Sequence, residues 1–213
     1  MDGGNVPKEA RRYAGQSADE RDRERLARLR AAALELFGSE GYTAVPVERL
    51  CAEAKVSTRH YYQVFSNKED ALLDIYSEIT SASIDNVGQA LESTEGRDIS
   101  VRLRSAVQAY LGPMLADTRK ARVAFVEVVG VSHRVEDIRL EFRHRIVSLI
   151  EREAGEAVVR GELTLQDFRF RALAFLGAVN VLVHDWSIHP EHVDAARLSD
   201  QLCDLAVELI VQV

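Results

Sequence analysis

From about Asp19 the chain takes on a helical alternation of apolar and polar positions. Leu26, Leu29, Ala33, Leu36 and Phe37 recur at spacings of three and four, which makes one apolar stripe. Arg21, Arg25 and Arg28 share a different face. Gly38 and Gly41 then punctuate the pattern, and Gly41-Tyr42 closes the segment. A compact trio follows. Pro46 suits the first turn of a short helix running to about Ala54, with Val47, Leu50 and Cys51 on one face. Lys55-Val56 reads as a tight turn, and Ser57 has the side chain of an N-cap for a second short helix, Thr58–Val64. Ser66-Asn67-Lys68-Glu69 has the form of a capping box opening a long helix to about Leu91.

The remaining pattern predicts helices over Ser100–Leu115, Thr118–Val131, Val135–Glu153, Leu165–Trp186 and Ala195–Val211. Gly155–Thr164 and Ser187–Asp194 are read as connecting loops, and Pro113 predicts a kink or early stop near Gly112. Successive helices with short links and no alternating strands imply an all-α fold of about nine helices. Residues 1–18 mix Gly, Pro, Ser and charges without periodicity and read as a flexible arm.

Composition narrows the setting. The longest uncharged apolar run, Ala172–Val183, is too short to span a bilayer, and the N-terminus lacks a secretory pattern. Two cysteines, Cys51 and Cys203, support no disulfide framework and fit a reducing cytoplasm. The net charge of −7 argues against nucleic acid until it is divided along the chain. Residues 1–70 carry 12 basic and 12 acidic side chains, so the whole acidic excess lies in 71–213. A neutral N-terminal third on an acidic body is compatible with DNA binding, because placement of the cations decides phosphate contact.

Two short helices joined by a turn of three to four residues describe a helix-turn-helix, centred on Val47–Phe65. The second helix is rich in donors and rings. Thr58, Arg59, His60, Tyr61, Tyr62 and Gln63 can hydrogen-bond, stack or touch a thymine methyl, while Val56, Val64 and Phe65 are assigned to the core. The alternative is a plain pair of packing helices. The set Ala32–Phe37, Gly41-Tyr42, Leu50 to Ala54, Val56-Ser57, Tyr62, Phe65 and Lys68-Glu69 to Leu72 resembles the N-terminal domain of the TetR family over about residues 24–75.

That resemblance implies a three-helix helix-turn-helix domain (19–66) and a divergent ligand-binding and dimerisation bundle (67–213). It implies a transcriptional repressor released from a palindromic operator by a small-molecule effector, with no cofactor. An effector-independent activator or architectural protein is the alternative. The residues matching the DNA-facing positions are Lys55, Ser57, Thr58, Arg59, His60, Tyr61, Tyr62 and Lys68, with Tyr62 and Lys68 at phosphates and Arg59 reading guanine. Ser57 serves mainly as a cap. Two departures stand out. Lys55 occupies a turn position that is commonly Gly, and Val45-Pro46 lacks the usual hydroxyl before the first short helix.

A reader of palindromes needs a dimer, and by the resemblance Leu165–Trp186 and Ala195–Val211 pair with their copies. The small residues Ala174, Gly177 and Ala178 permit close approach. For the effector pocket the candidates are Tyr110, Phe125, Glu127, Phe142, Phe175, Asn180 and His184. Glu127 sits in an apolar run, and Asn180 and His184 lie four apart on one helix. Ordinary core packing, with Glu127 paired to an arginine, is the competing reading. His189-Pro190-Glu191-His192 with Asp185 is too irregular to assign as a metal site. Cys51 could act as a thiol switch or as inert packing. No motif for hydrolytic, phosphate-transfer or metalloprotease chemistry is present, so the chain does not read as an enzyme.

Overall fold

The structure, a computed structural model, describes residues 18–211; the expected arm lies outside them except for Ala18. The order is α1 (Ala18–Ser39), α2 (Val47–Ala54), α3 (Thr58–Val64), α4 (Lys68–Ser93), α5 (Ile99–Leu115) and α6 (Thr118–Arg122). A π turn (Val123–Glu127) follows, then α7 (His133–Val159), α8 (Phe168–Ile188) and α9 (Ala195–Ile210). The described residues contain no strand, as an all-α fold requires.

Short acceptor side chains start most of these helices. Ser57, Asn67, Asp98, Ser132 and Asp167 each accept the backbone N–H three residues on, which relieves an orphan donor of the first turn. The box at the head of α4 is shifted by one residue from the expected register. Asn67 accepts from the Asp70 N–H at 2.9 Å, and Asp70 reaches back to the Ser66 N–H at 2.9 Å.

Three expected boundaries are corrected. Pro113 does not stop α5, because it falls in the last turn, where the Ala116 N–H still reaches Gly112 O at 2.9 Å. Gly155 does not end α7, which runs on to Val159. Buried Ala154 and Ala157 pack against Ile99 and Phe168, and that burial outweighs the roughly 1 kcal/mol helix penalty of glycine. The single helix expected over Thr118–Val131 is α6 followed by the π turn.

One apolar core runs from Leu29 on α1 through Leu72, Ile75 and Ile79 on α4 to Leu202 and Ala206 on α9. Thus α4 belongs at once to the N-terminal helices and to the bundle. A smaller core of Ile99, Leu103, Ala154, Ala157, Phe168 and Ile210 fills the opposite end. Helices α4 and α5 lie side by side in opposite directions, with Leu91 O accepting from Arg102 and Thr80 placed near Tyr110.

Candidate DNA-reading helix and ligand cavity

The α2–α3 pair is held by burial of Leu50, Cys51 and Ala54 on one side and Tyr61 and Phe65 on the other. Between them Lys55 adopts φ 53°, ψ 45°, a left-handed turn that costs a non-glycine residue on the order of 1 kcal/mol. Ser57 Oγ caps α3 and lies 2.8 Å from His60 Nδ1. The outward side of this unit presents Lys55, Ser57, Thr58, Arg59, Tyr62 and Gln63, all exposed, with His60 half-buried. No described residue forms an ion pair or hydrogen bond with the guanidinium of Arg59 or the ammonium of Lys55.

The loop between α1 and α2 is gripped from the body of the protein. Glu127 Oε2 accepts the Tyr42 N–H at 2.7 Å, and Oε1 accepts from Arg122 Nε at 2.9 Å. Arg122 also donates to Ser39 O at 3.3 Å. From the other side Lys68 Nζ donates to the carbonyls of Tyr42 (2.7 Å), Val45 (3.0 Å) and Thr43 (3.4 Å) and lies 4.4 Å from the Tyr42 ring centroid. Desolvation there pushes the Lys68 pKa down. Gly41, at φ 93°, leaves room for the carboxylate: a Cβ there would sit 3.4 Å from Glu127 Oε2. At Gly38 a Cβ would fall 2.5 Å from Arg119 Cβ, so glycine is what lets α1 lie against α6. Arg119 pairs with Glu35 of α1 and with Asp117, at 2.8 Å, which holds the Asp117 carboxyl below its ordinary range.

Within the bundle α4, α5, α7, α8 and α9 line an apolar cavity of about 60 Å³. Ile84, Val87, Leu103, Val107, Leu111, Ile150 and Phe175 are among its walls, and Arg102 and Glu153 stand at one end. A second, more polar space adjoins it across Tyr110, Ile146, Leu176 and Val179, which line both. That neck adds Thr80, Phe125, Phe142, Asn180 and the guanidinium groups of Arg139 and Arg143. Arg139 pairs with Glu136, which also lies 3.7 Å from Arg143, so two cations share one carboxylate. Outside the neck a surface groove carries the same arginines together with Phe125, Asn180, Gly177, Val181, His184 and Asp185.

Residues 29–75 match the family model described as "Bacterial regulatory proteins, tetR family". The chain is 21% identical to a fatty acid metabolism regulator protein of Bacillus subtilis, over 83% of its own length and 90% of that protein. It is 31% identical to the HTH-type transcriptional activator FasR of Mycolicibacterium smegmatis, over 62% of its own length and 61% of that protein. In structure it resembles the regulator FadR of Bacillus subtilis, solved in complex with stearoyl-CoA. The TM-score is 0.77 at 19% identity, covering 88% of this chain and 98% of that one.

Residues 29–75 thus carry a domain of the tetR family of bacterial regulatory proteins.

In and around this domain the structure corrects several expectations drawn from residue type. Tyr61 does not face outward: it is 1% exposed, its ring packs on Tyr62 and Phe65, and its hydroxyl donates to Asn67 O at 3.1 Å. Tyr62, next to it, is 53% exposed. Val64, assigned to the core, is exposed, because the inward positions of α3 are Tyr61 and Phe65, four apart. Lys68 points into the α1–α2 loop rather than outward, drawn by three carbonyl oxygens.

Of the pocket candidates, Tyr110, Phe125, Phe142, Phe175 and Asn180 come together around the cavity and its neck. Burial pushes the Tyr110 pKa up, so its hydroxyl keeps its proton. Glu127 is not among the walls; it serves the α1–α2 loop. His184 borders only the outer groove, its Nδ1 3.0 Å from Phe125 O. Sequence reasoning missed Arg139 and Arg143, whose place opposite Asn180 depends on packing between distant helices. His189, Glu191 and His192 do gather, their ligand-type atoms within 4.8 Å, but on exposed side chains with the rings stacked and without Asp185. Cys51 is buried and its thiol pushed up by desolvation, which favours packing over a switch.

Proposed function

We propose that this chain is a cytoplasmic, homodimeric transcriptional repressor whose hold on a palindromic operator is released by a fatty acyl thioester bound in the cavity. The observation that carries the ligand class is the sequence of environments from groove to cavity. An anionic head group meets Arg139 and Arg143, and a hydrocarbon tail meets walls without polar atoms until Arg102 and Glu153. From Arg143 to Glu153 along α7 the path is roughly 15 Å. That is about half the hydrocarbon thickness of a bilayer, hence the depth filled by one layer of acyl chains. The relative solved with stearoyl-CoA favours the same ligand class.

For DNA, Arg59 reads base edges and Lys55 and Tyr62 contact the backbone, with Thr58 and His60 at the groove and Ser57 holding the helix start. On this reading residues 19–66 form the reader and 67–213 the ligand-binding and dimerisation body, although one core crosses that boundary. The dimer forms chiefly through α8, where Phe170, Ala174, Gly177 and Val181 recur at four, three and four, Ile188 follows two turns on, and all are exposed. Phe170 and Val181 are 71% and 68% exposed. The outer face of α9 is more polar, with Gln201, Asp204 and Glu208 exposed beside half-buried Leu205 and Leu209.

Ligand and reader are coupled through the π turn. Phe125 lines the neck, and two residues later Glu127 holds the Tyr42 N–H. A ligand that displaces Phe125 therefore displaces the support of the α1–α2 loop. Selection of bound sequences from random DNA with the purified protein tests the reader directly. A symmetric site with half-sites one turn apart, about 34–36 Å, is expected; recovery of no preferred sequence would sink the proposal. Activation rather than repression is the second reading, favoured by the relative named as an activator.

A further inference from the structure

The cavity ends on a charged pair in otherwise apolar surroundings. Arg102 on α5 donates through Nε (3.1 Å) and Nη2 (2.6 Å) to Glu153 Oε2 on α7, and through Nη1 to Leu91 O near the end of α4 at 2.9 Å. Both side chains are buried, and both are cavity walls. Ile99 and Ile210 close the same end of the cavity, and they pack into a small core with Ala154, Ala157 and Phe168, which are not cavity walls. A buried ion pair is seldom a net gain in stability over apolar side chains of the same volume. Separating its partners, by contrast, leaves uncompensated charges, which makes the pair a wall that does not open.

We propose that Arg102 and Glu153 set the length of hydrocarbon chain this regulator accepts, acting as a fixed stop. The inference rests on the acyl-ligand reading above. Three helices give it direction: Thr80 to Leu91, Tyr110 to Arg102 and Arg143 to Glu153 all lead from the neck to the same end. A terminal methyl arriving there meets the aliphatic stems of Arg102 and Glu153, whose charged ends are committed to each other and to a backbone carbonyl. Further methylenes have nowhere to go without breaking that triangle, so binding improves with chain length only until the pair is reached.

Isothermal titration of the full chain with saturated acyl-coenzyme A thioesters of graded length tests this. In the native protein affinity should rise by roughly fourfold per added methylene, then stop rising or fall beyond one length. In the double variant Arg102→Ala/Glu153→Ala the rise should continue past that length. Arg102→Met/Glu153→Leu keeps the volume without buried charge, so it remains informative if the alanine pair does not fold. Its flexible apolar side chains should move the cutoff in the same direction by a smaller amount. An unmoved cutoff in a folded double variant overturns the stop while leaving the ligand class standing. Failure of every thioester to bind the native protein overturns both.

Discussion

Glu127 accepts the backbone N–H of Tyr42 at 2.7 Å across 85 positions of the chain. The contact joins the π turn beside the cavity neck to the loop that launches α2. The same carboxylate holds Arg122, which in turn reaches Ser39 O. Glu127→Ala leaves a half-buried amide and a guanidinium without their acceptor, at a cost on the order of 2 kcal/mol. Urea unfolding should show that loss, and operator affinity should fall as well, because the loop that sets the angle of α2 is freed. Glu127→Gln, which keeps an acceptor for Tyr42, should lie between the two.

Tyr61 and Tyr62 are adjacent, and opposite outcomes are expected from replacing them. Tyr61→Ala removes a buried ring and should cost roughly 3–5 kcal/mol. Tyr61→Phe loses only the hydrogen bond to Asn67 O, worth about 1 kcal/mol. Tyr62→Ala should leave the unfolding midpoint nearly unchanged and weaken DNA binding. Thermal melts and anisotropy titrations on one DNA duplex separate the two roles.

Lys68 is spent on three carbonyl oxygens, so its contribution should be to stability and to the shape of the loop. Lys68→Met should lower the unfolding midpoint while the slope of log affinity against log salt stays unchanged. Loss of a true phosphate contact would instead reduce that slope by about 1. Lys55→Met, at an exposed position, should show the reverse pattern.

Asp117 supplies the pH dependence of the α1–α6 contact. Its hydrogen bonds from Arg119, above all from the side chain, hold its pKa below the ordinary carboxylate value of 3.8. The folded state thus binds this proton less readily than the unfolded state. The resulting stabilisation is fully present above the unfolded value and disappears as pH falls through the lower folded one. Asp117→Asn keeps the cap of α6 but loses the charge. Its stability deficit against the native protein, followed by urea midpoints, should be constant near neutrality and close below about pH 4.

The short helices were legible because their signals are local. Ser57 stands next to the first turn of α3, and the expected limits Thr58–Val64 are those observed. Weighing side chains by type puts Tyr61 on the outer face, although its spacing of four from Phe65 marks it as a core position. Glu127 was conspicuous as a charge in an apolar run, yet its role was hidden. Arg122 lies five residues before it, out of phase on an α-helix, and the π turn between them is what brings the two together. The Tyr42 amide carries no side-chain signal at all.

The aromatic residues around the cavity are visible in the sequence, but a set such as Tyr110, Phe142 and Phe175 looks the same whether it encloses space or fills it. Arg102 and Glu153, 51 positions apart, meet only through the packing of α5 on α7. Gly155 reads as a break because a helix-breaking tendency is local, whereas the burial that overrides it is not.

In the proposed regulator cavity and reader oppose each other. This is measured by the Kd for a selected operator with and without saturating acyl-coenzyme A, paired with the Kd for the thioester with and without operator. The expected result is a weakening of both by one common factor, on the order of 5- to 150-fold. A thioester that binds in the cavity and leaves operator affinity unchanged would contradict release.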